Sequence, residues 1–355
     1  MTVVGFARRC LPPALAALLL AGALACDADG GFAEGFRLDD DYRREAFVQS
    51  EAESTDILWV IDTSGSMIDE QAALAEHFPA FIEFFVDWDI PFRMGITSTN
   101  VGEEDSEGLD GRLVGEPPWI DSDEEDVEAA FVERALLGID HRHGEERGLH
   151  ASYTALGTLL DGVNEGFLRE EASLVVLVVS DEPDYSTLSA SDAEDWIDWS
   201  SYATWMDGLK GDAPEDAERS HFSSIVGVGE EGLDDPDGCL HGGLEGEGSL
   251  ENGALRGDGY IEASIATGGT VQSICSEDWT ETLGRLGLTS AGLSDRFPLS
   301  DVPVPGSIVV RVSGSQVEGW SYDSVLASVV FEITGIPEAG EEVVVTYLAQ
   351  VDEVE

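Results

Sequence analysis

Asp62, Ser64 and Ser66, spaced Asp-x-Ser-x-Ser, bring one carboxylate and two hydroxyls into a single turn of chain. Oxygen donors gathered this way suit a hard divalent cation such as magnesium, which takes oxygen ligands in octahedral geometry and gives up its waters reluctantly. Two of the three donors are neutral, so an ion held there keeps residual positive charge and an open position for a ligand from outside the chain. The same residues are also good helix caps, and the elements around them decide between the two uses.

The preceding run, Ile57 to Ile61, is unbroken and apolar, as expected of a strand covered on both faces in a parallel sheet. A helical pattern follows it, with Leu74, Phe78, Phe81 and Phe85 recurring on one face. Asp62 therefore stands at the C-terminal end of a strand, where open α/β sheets place their ligands. A second apolar run, Leu174 to Val179, stops at a carboxylate in the same way, in Ser180-Asp181-Glu182-Pro183-Asp184.

The stretch from Ile57 to Met67 resembles the metal-ion-dependent adhesion site of von Willebrand factor type A (vWA) domains. That resemblance covers residues 54–290 and implies a doubly wound α/β fold, a mostly parallel sheet flanked by helices. It implies a site for one divalent cation, Mg2+ foremost with Mn2+ or Ca2+ as alternatives, held by Asp62, Ser64, Ser66 and, from the second strand, Asp181. The family takes a threonine from the loop before the intervening helix, where this chain has Glu145 and Glu146. With Gly148-Leu149 and the segment Asn164 to Arg169, this loop looks like a bacterial, lipid-anchored branch in which Glu146 stands in for the threonine. On the other reading both glutamates are solvent-facing residues of a first helical turn, favoured there by the helix dipole.

Around these anchors the pattern alternates. A helix is expected over 66–87, kinked or broken at Pro79, then a strand over 90–99, a short strand near Trp119-Ile120 and a helix over 126–137. A helix from Gly148 through about Val163 precedes the second buried strand. A Trp-rich helix over 193–209, carrying Trp196, Trp199 and Trp205 as core residues, leads to a strand over 222–228. A helix from Tyr260, a strand after the Gly268-Gly269 turn and a helix over 278–286 complete the series. From 291 to 355 the texture becomes β-branched runs separated by Gly and Pro turns, read as a small antiparallel β module.

The 355 residues are 43% apolar, enough for a sizeable core, yet 73 Asp and Glu against 17 Lys and Arg give a formal net charge of -56. Nucleic acid and anionic lipid head groups are poor partners for such a surface. Residues 1–26 read as an export signal, with Arg8 and Arg9 ahead of an apolar stretch too short to span a membrane comfortably. Its end, Leu24-Ala25-Cys26, resembles a bacterial lipobox with Cys26 as the lipidated residue, cleavage nearby by ordinary signal peptidase being the alternative. Residues 27–53 then form an acidic tether. With Cys10 in the discarded segment and Cys26 lipidated, Cys239 and Cys275 remain as one disulfide.

No GxSxG, HExxH or Walker loop is present, and His141, His143 and His150 lack the spacing of a zinc site. The expected protein is therefore a binder and not an enzyme. It is exported and lipid-anchored in the bacterial envelope, at the outer membrane, the cell surface or in the periplasm, and uses its cation to hold a protein or glycan partner. The other reading is a structural envelope protein in which the metal only stabilises the fold.

Overall fold

A computed structural model describes residues 42–101, 109–139, 145–186, 197–211, 219–229, 232–233, 235–240, 253–324 and 327–350. The export signal, Cys26, the tether before residue 42, His141, His143 and Trp196 lie outside the described residues.

After β1 (Tyr42–Val48) the chain enters an α/β domain. Its elements are β2 (Thr55–Ile61), α1 (Ile68–Asp87), β3 (Phe92–Ser98), β4 (Ile120–Asp121), α2 (Val127–Ala135), α3 (Gly148–Leu156) and β5 (Ser173–Val179). There follow α4 (Trp199–Asp207), β6 (Ser220–Val226), the short pair β7 (Cys239–Leu240) and β8 (Gly253–Ala254), α5 (Tyr260–Ala266), β9 (Val271–Ser273) and α6 (Trp279–Ser290). Six strands form one sheet in the order β4-β3-β2-β5-β6-β9, all parallel except β4, which runs against β3. This is the doubly wound, mostly parallel architecture expected.

β2 is buried at every position because helices cover both faces of the sheet. Ile57, Trp59 and Ile61 pack with Phe78 and Phe81 of α1, Phe131 of α2 and Leu283 of α6. Leu58 and Val60 pack on the other side with Leu149 of α3, Tyr202 of α4 and Ile261 of α5. The connection leaving β2 runs to β3 on one side and the connection leaving β5 runs to β6 on the other. The carboxyl ends of β2 and β5 thus flank the point where such sheets open a crevice for ligands.

Pro79 does not break α1 into two elements; the helix runs continuously from Ile68 to Asp87. The proline sits on the exposed face, so the carbonyl of Ala75 that loses its partner is on the side where water can replace it. α3 also differs from expectation, ending at Leu156 instead of near Val163. The chain leaves helical geometry at Gly157, and Asn164 braces this end, its buried side-chain amide turning back to the Ala155 carbonyl at 3.1 Å and to the Gly111 carbonyl at 2.9 Å. It also accepts from the Leu113 amide at 3.2 Å. Asn164→Ala strands three buried polar groups, and a loss of about 2–3 kcal/mol is expected in urea unfolding.

The second unit is a pair of antiparallel sheets. Its strands are β10 (Arg296–Pro298), β11 (Val309–Val312), β12 (Ser315–Gln316), β13 (Trp320–Asp323), β14 (Ser328–Phe331) and β15 (Glu342–Leu348). One sheet has the order β10-β14-β13 and the other β1-β15-β11-β12, and they close over Phe297, Val310, Phe331, Val343, Val345 and Tyr347. The stretch expected to be tether up to residue 53 therefore contains a strand. β1 pairs with β15 from Tyr42↔Leu348 to Val48↔Glu342, and the buried end of Tyr347 donates to Glu45 at 2.6 Å. The α/β domain is inserted between the first strand of this module and the rest of it. Cys239 and Cys275 are disulfide-bonded, which ties β7 to the segment after β9.

Candidate functional site

The chain turns at the end of β2 because Asp62 bonds its own loop: the Ser64 amide donates to Asp62 Oδ1 at 2.6 Å. Gln71, one turn into α1, donates to the Asp62 carbonyl at 2.9 Å and to Gly138 at 3.1 Å. Ser64 and Ser66 share a hydroxyl contact at 3.1 Å, and Ser64 Oγ reaches Asp181 Oδ1 at 3.4 Å. Ser66 is exposed, Ser64 and Asp181 are buried, and Asp62 has no accessible surface. The carboxylate and the two hydroxyls from the first loop, and the carboxylate from the second, thus meet at the sheet's carboxyl edge.

Glu146 comes to the same place and Glu145 does not. Glu145 pairs outward with Arg147 at 3.6 Å, whereas Glu146 is fully buried and near enough for its charge to act on Asp62. One Glu146 oxygen accepts from Thr99 at the end of β3, and the other, Oε1, has no partner among the described residues. The Tyr185 amide clamps the Glu146 carbonyl at 2.7 Å, and the Arg147 amide donates to the Thr99 carbonyl at 3.1 Å.

The start of α3 is capped entirely from other elements. The Gly148 amide donates to Tyr260 Oη at 2.9 Å, Leu149 to Asp184 Oδ1 at 3.2 Å and His150 to Ser186 Oγ at 3.1 Å. These are three of the four amides that a helix leaves unsatisfied at its N-terminus. Asp184, held by Ser186 as well, is pushed up to about 7 by burial, its hydrogen bonds pulling the other way. The loop after β5 therefore fixes the loop that carries Glu146.

Electrostatically the site is a knot of acids. Burial raises the Asp62 carboxyl well above the usual carboxylate range, and the neighbouring Glu146 and Asp181 push it the same way. Glu146 is raised to about 7, first by burial and then by Glu182 and Asp181, with the Thr99 hydrogen bond opposing. Burial and then Asp181 raise Glu182. Ser180 relieves part of this by donating to Asp62 Oδ2 at 2.7 Å. A buried carboxylate without a compensating cation is costly, which is why these groups hold their protons more tightly than free carboxylates do.

Among the described residues, no three His, Cys, Asp or Glu side chains form a ready-made cage for a metal ion. A cation here would draw on hydroxyls as well as carboxylates, and the vWA resemblance implies that mixed set. The orphaned Glu146 oxygen beside Asp62 fits it. Thr99, Ser180, Gln71 and Asp184 orient the set without belonging to it, and none of them carries a motif that would have singled it out in the sequence. The tryptophans divide: Trp205 packs against Tyr153 and Tyr202, with ring centroids 4.6 and 5.4 Å away, while Trp199 is exposed.

No family model matches the chain and no curated protein matches it. Among solved structures it is similar to a von Willebrand factor type A protein from Catenulispora acidiphila, at 13% identity and a TM-score of 0.39, over 88% of this chain and 66% of that one. It is also similar to the pilus adhesin SpaC from Lactobacillus rhamnosus GG in its open conformation, at 9% identity and 0.39, over 88% of this chain and 43% of the adhesin. The conserved hypothetical protein BatB from Bacteroides thetaiotaomicron gives 10% and 0.35, over 67% of this chain and 99% of BatB. The chain spans less than two thirds of the first two. Scores of this size carry no argument about activity, and the fold rests on the topology described above.

Proposed function

We propose that the chain is an exported, lipid-anchored protein of the bacterial envelope that binds one divalent cation through Asp62, Ser64, Ser66, Glu146 and Asp181. It uses that ion to hold a protein or glycan partner, and it is a binding protein and not an enzyme. One observation carries the reading: a fully buried glutamate acts electrostatically on Asp62 and, among the described residues, leaves an oxygen without a partner by the crevice between β2 and β5. A divalent ion supplies positive charge where three buried acids otherwise repel one another. Magnesium is the first choice, with manganese and calcium as alternatives. Export and the lipid anchor rest on the sequence of the first 26 residues.

The test is calorimetric titration of the purified protein with magnesium, manganese and calcium chlorides, beside the Asp181→Ala variant. One-site binding that disappears in the variant supports the reading. If no ion binds, or if binding survives the substitution, the site does not do this work.

A pH dependence follows from the same groups. The folded pKa values of Glu146 and Asp62 are raised above their unfolded values. The stability that Glu146 contributes is therefore complete below about pH 4 and is lost as pH rises through about 7, and Asp62 acts in the same direction. The ion-free protein is expected to melt at lower temperature at pH 8 than at pH 5, with saturating cation cancelling the fall because the ion takes the place of the protons. A melting temperature that the cation leaves unchanged at pH 8 would contradict this.

A further inference from the structure

We propose that Glu146 determines what the loaded site accepts: it makes the centre refuse a carboxylate and take an uncharged oxygen donor, a hydroxyl or carbonyl, at the open position. This inference rests on the cation reading above and goes further, to the chemistry of the partner. Glu146 is fully buried, one oxygen is fixed by Thr99 and the other has no partner among the described residues, while its charge acts on Asp62. Its backbone is held by the Tyr185 amide at 2.7 Å, which fixes the loop that presents the side chain.

Charge decides the rest. Asp62, Asp181 and Glu146 oppose a divalent ion with one negative charge in excess, and Glu182 adds to the acids that act on Glu146. Arg147, next in the chain, is turned away, donating to the Val101 carbonyl at 3.3 Å and pairing with Glu145 at 3.6 Å. Among the described residues an arriving carboxylate meets like charge with no cationic side chain acting on Asp62 or Glu146, while a hydroxyl or amide carbonyl brings a lone pair without the repulsion. Without the Glu146 charge the loaded set is neutral, and a carboxylate becomes a competent ligand.

The experiment uses the full chain loaded with manganese, with water-proton relaxation reporting water bound to the ion and sodium acetate as the competing probe. In the wild type, acetate is expected to leave the relaxation enhancement intact. In Glu146→Gln, which keeps an acceptor for Thr99 but not the charge, acetate is expected to remove the enhancement at a concentration roughly tenfold lower or less. Glu146→Ala gives the same comparison if the amide is not accommodated. Displacement by acetate in the wild type at the concentration that works on either variant overturns the proposal. If manganese gives no enhancement in the wild type at all, the cation reading itself has failed and this inference falls with it.

Discussion

Asp62→Asn is expected to lower divalent-cation affinity on the order of a thousandfold while leaving the ion-free fold about as stable as before. The side chain sits at 0% exposure between Ser64 and Ser180, accepting from the Ser64 amide at 2.6 Å and the Ser180 hydroxyl at 2.7 Å. Asparagine keeps an oxygen for the amide and can donate to the Ser180 oxygen, so little is left unsatisfied. What it removes is a charge that already suffers from burial and from Glu146 and Asp181. The like-charge repulsion is relieved in the absence of an ion, and the attraction to an ion is lost. A unit charge pair at about 4 Å is worth roughly 4 kcal/mol at the effective dielectric of such sites, about three decades in affinity. Calorimetry and thermal melts on one preparation decide it: wild-type affinity in the variant would remove Asp62 from the ion site, and a collapse in stability would make its role structural.

The largest loss of stability is expected at the opposite edge of the same strand. Asp56, at the start of β2, has no exposure and holds two cations. Arg169 donates to it through Nε and its own amide, both at 2.7 Å, and Lys210 approaches at 3.6 Å with its side chain 1% exposed. Lys210 also donates to the Arg169 carbonyl at 2.6 Å. Burial lowers the Lys210 ammonium to about 8 even with Asp56 beside it, and burial raises Asp56 despite both partners. Each charge survives because of the others, and Asp56→Ala leaves Lys210 buried and Arg169 half-buried without their acid, each holding, among the described residues, only a backbone carbonyl. A loss of about 3–5 kcal/mol is expected in urea unfolding. Lys210→Met added to Asp56→Ala should recover part of it; a single-variant loss under about 1 kcal/mol would mean that water reaches this pocket.

The legible parts of the sequence were those where burial forces a pattern. β2 and β5 are sealed on both faces, so their residues must be apolar without interruption, and the first acids after them, Asp62 and Asp181, stand out. β1 is the counterexample. Its residues alternate between exposed and half-buried, its core side is shared with a strand about 300 residues away in the chain, and Tyr-Arg-Arg-Glu-Ala-Phe-Val reads as polar linker until that partner is known. Pro79 misled for a related reason: the sequence shows a helix breaker, but only the packing shows that it faces solvent. Thr99 and Ser180 are single hydroxyls at strand ends, indistinguishable from turn formers. Glu145 and Glu146 are adjacent and identical in type, and the fold alone sends one inward.

The pairing of β1 with β15 also determines how the molecule meets a mechanical load. If the chain is held ahead of Tyr42 and a partner pulls on the crevice at the sheet's far edge, tension enters along the axis of β1 and continues through Gln49 into β2. Sliding β1 along β15 means breaking all its register pairs, from Tyr42↔Leu348 to Val48↔Glu342, together in shear, whereas peeling would break them one after another. Gln49 adds a catch where the strand leaves, giving its side-chain amide to Ser294 at 2.9 Å and taking the Ser294 amide at 3.2 Å. Forced unfolding is governed by the rate of the opening step and not by equilibrium stability, so under a load that shears β1 from β15 a segment that reads as slack would be what resists.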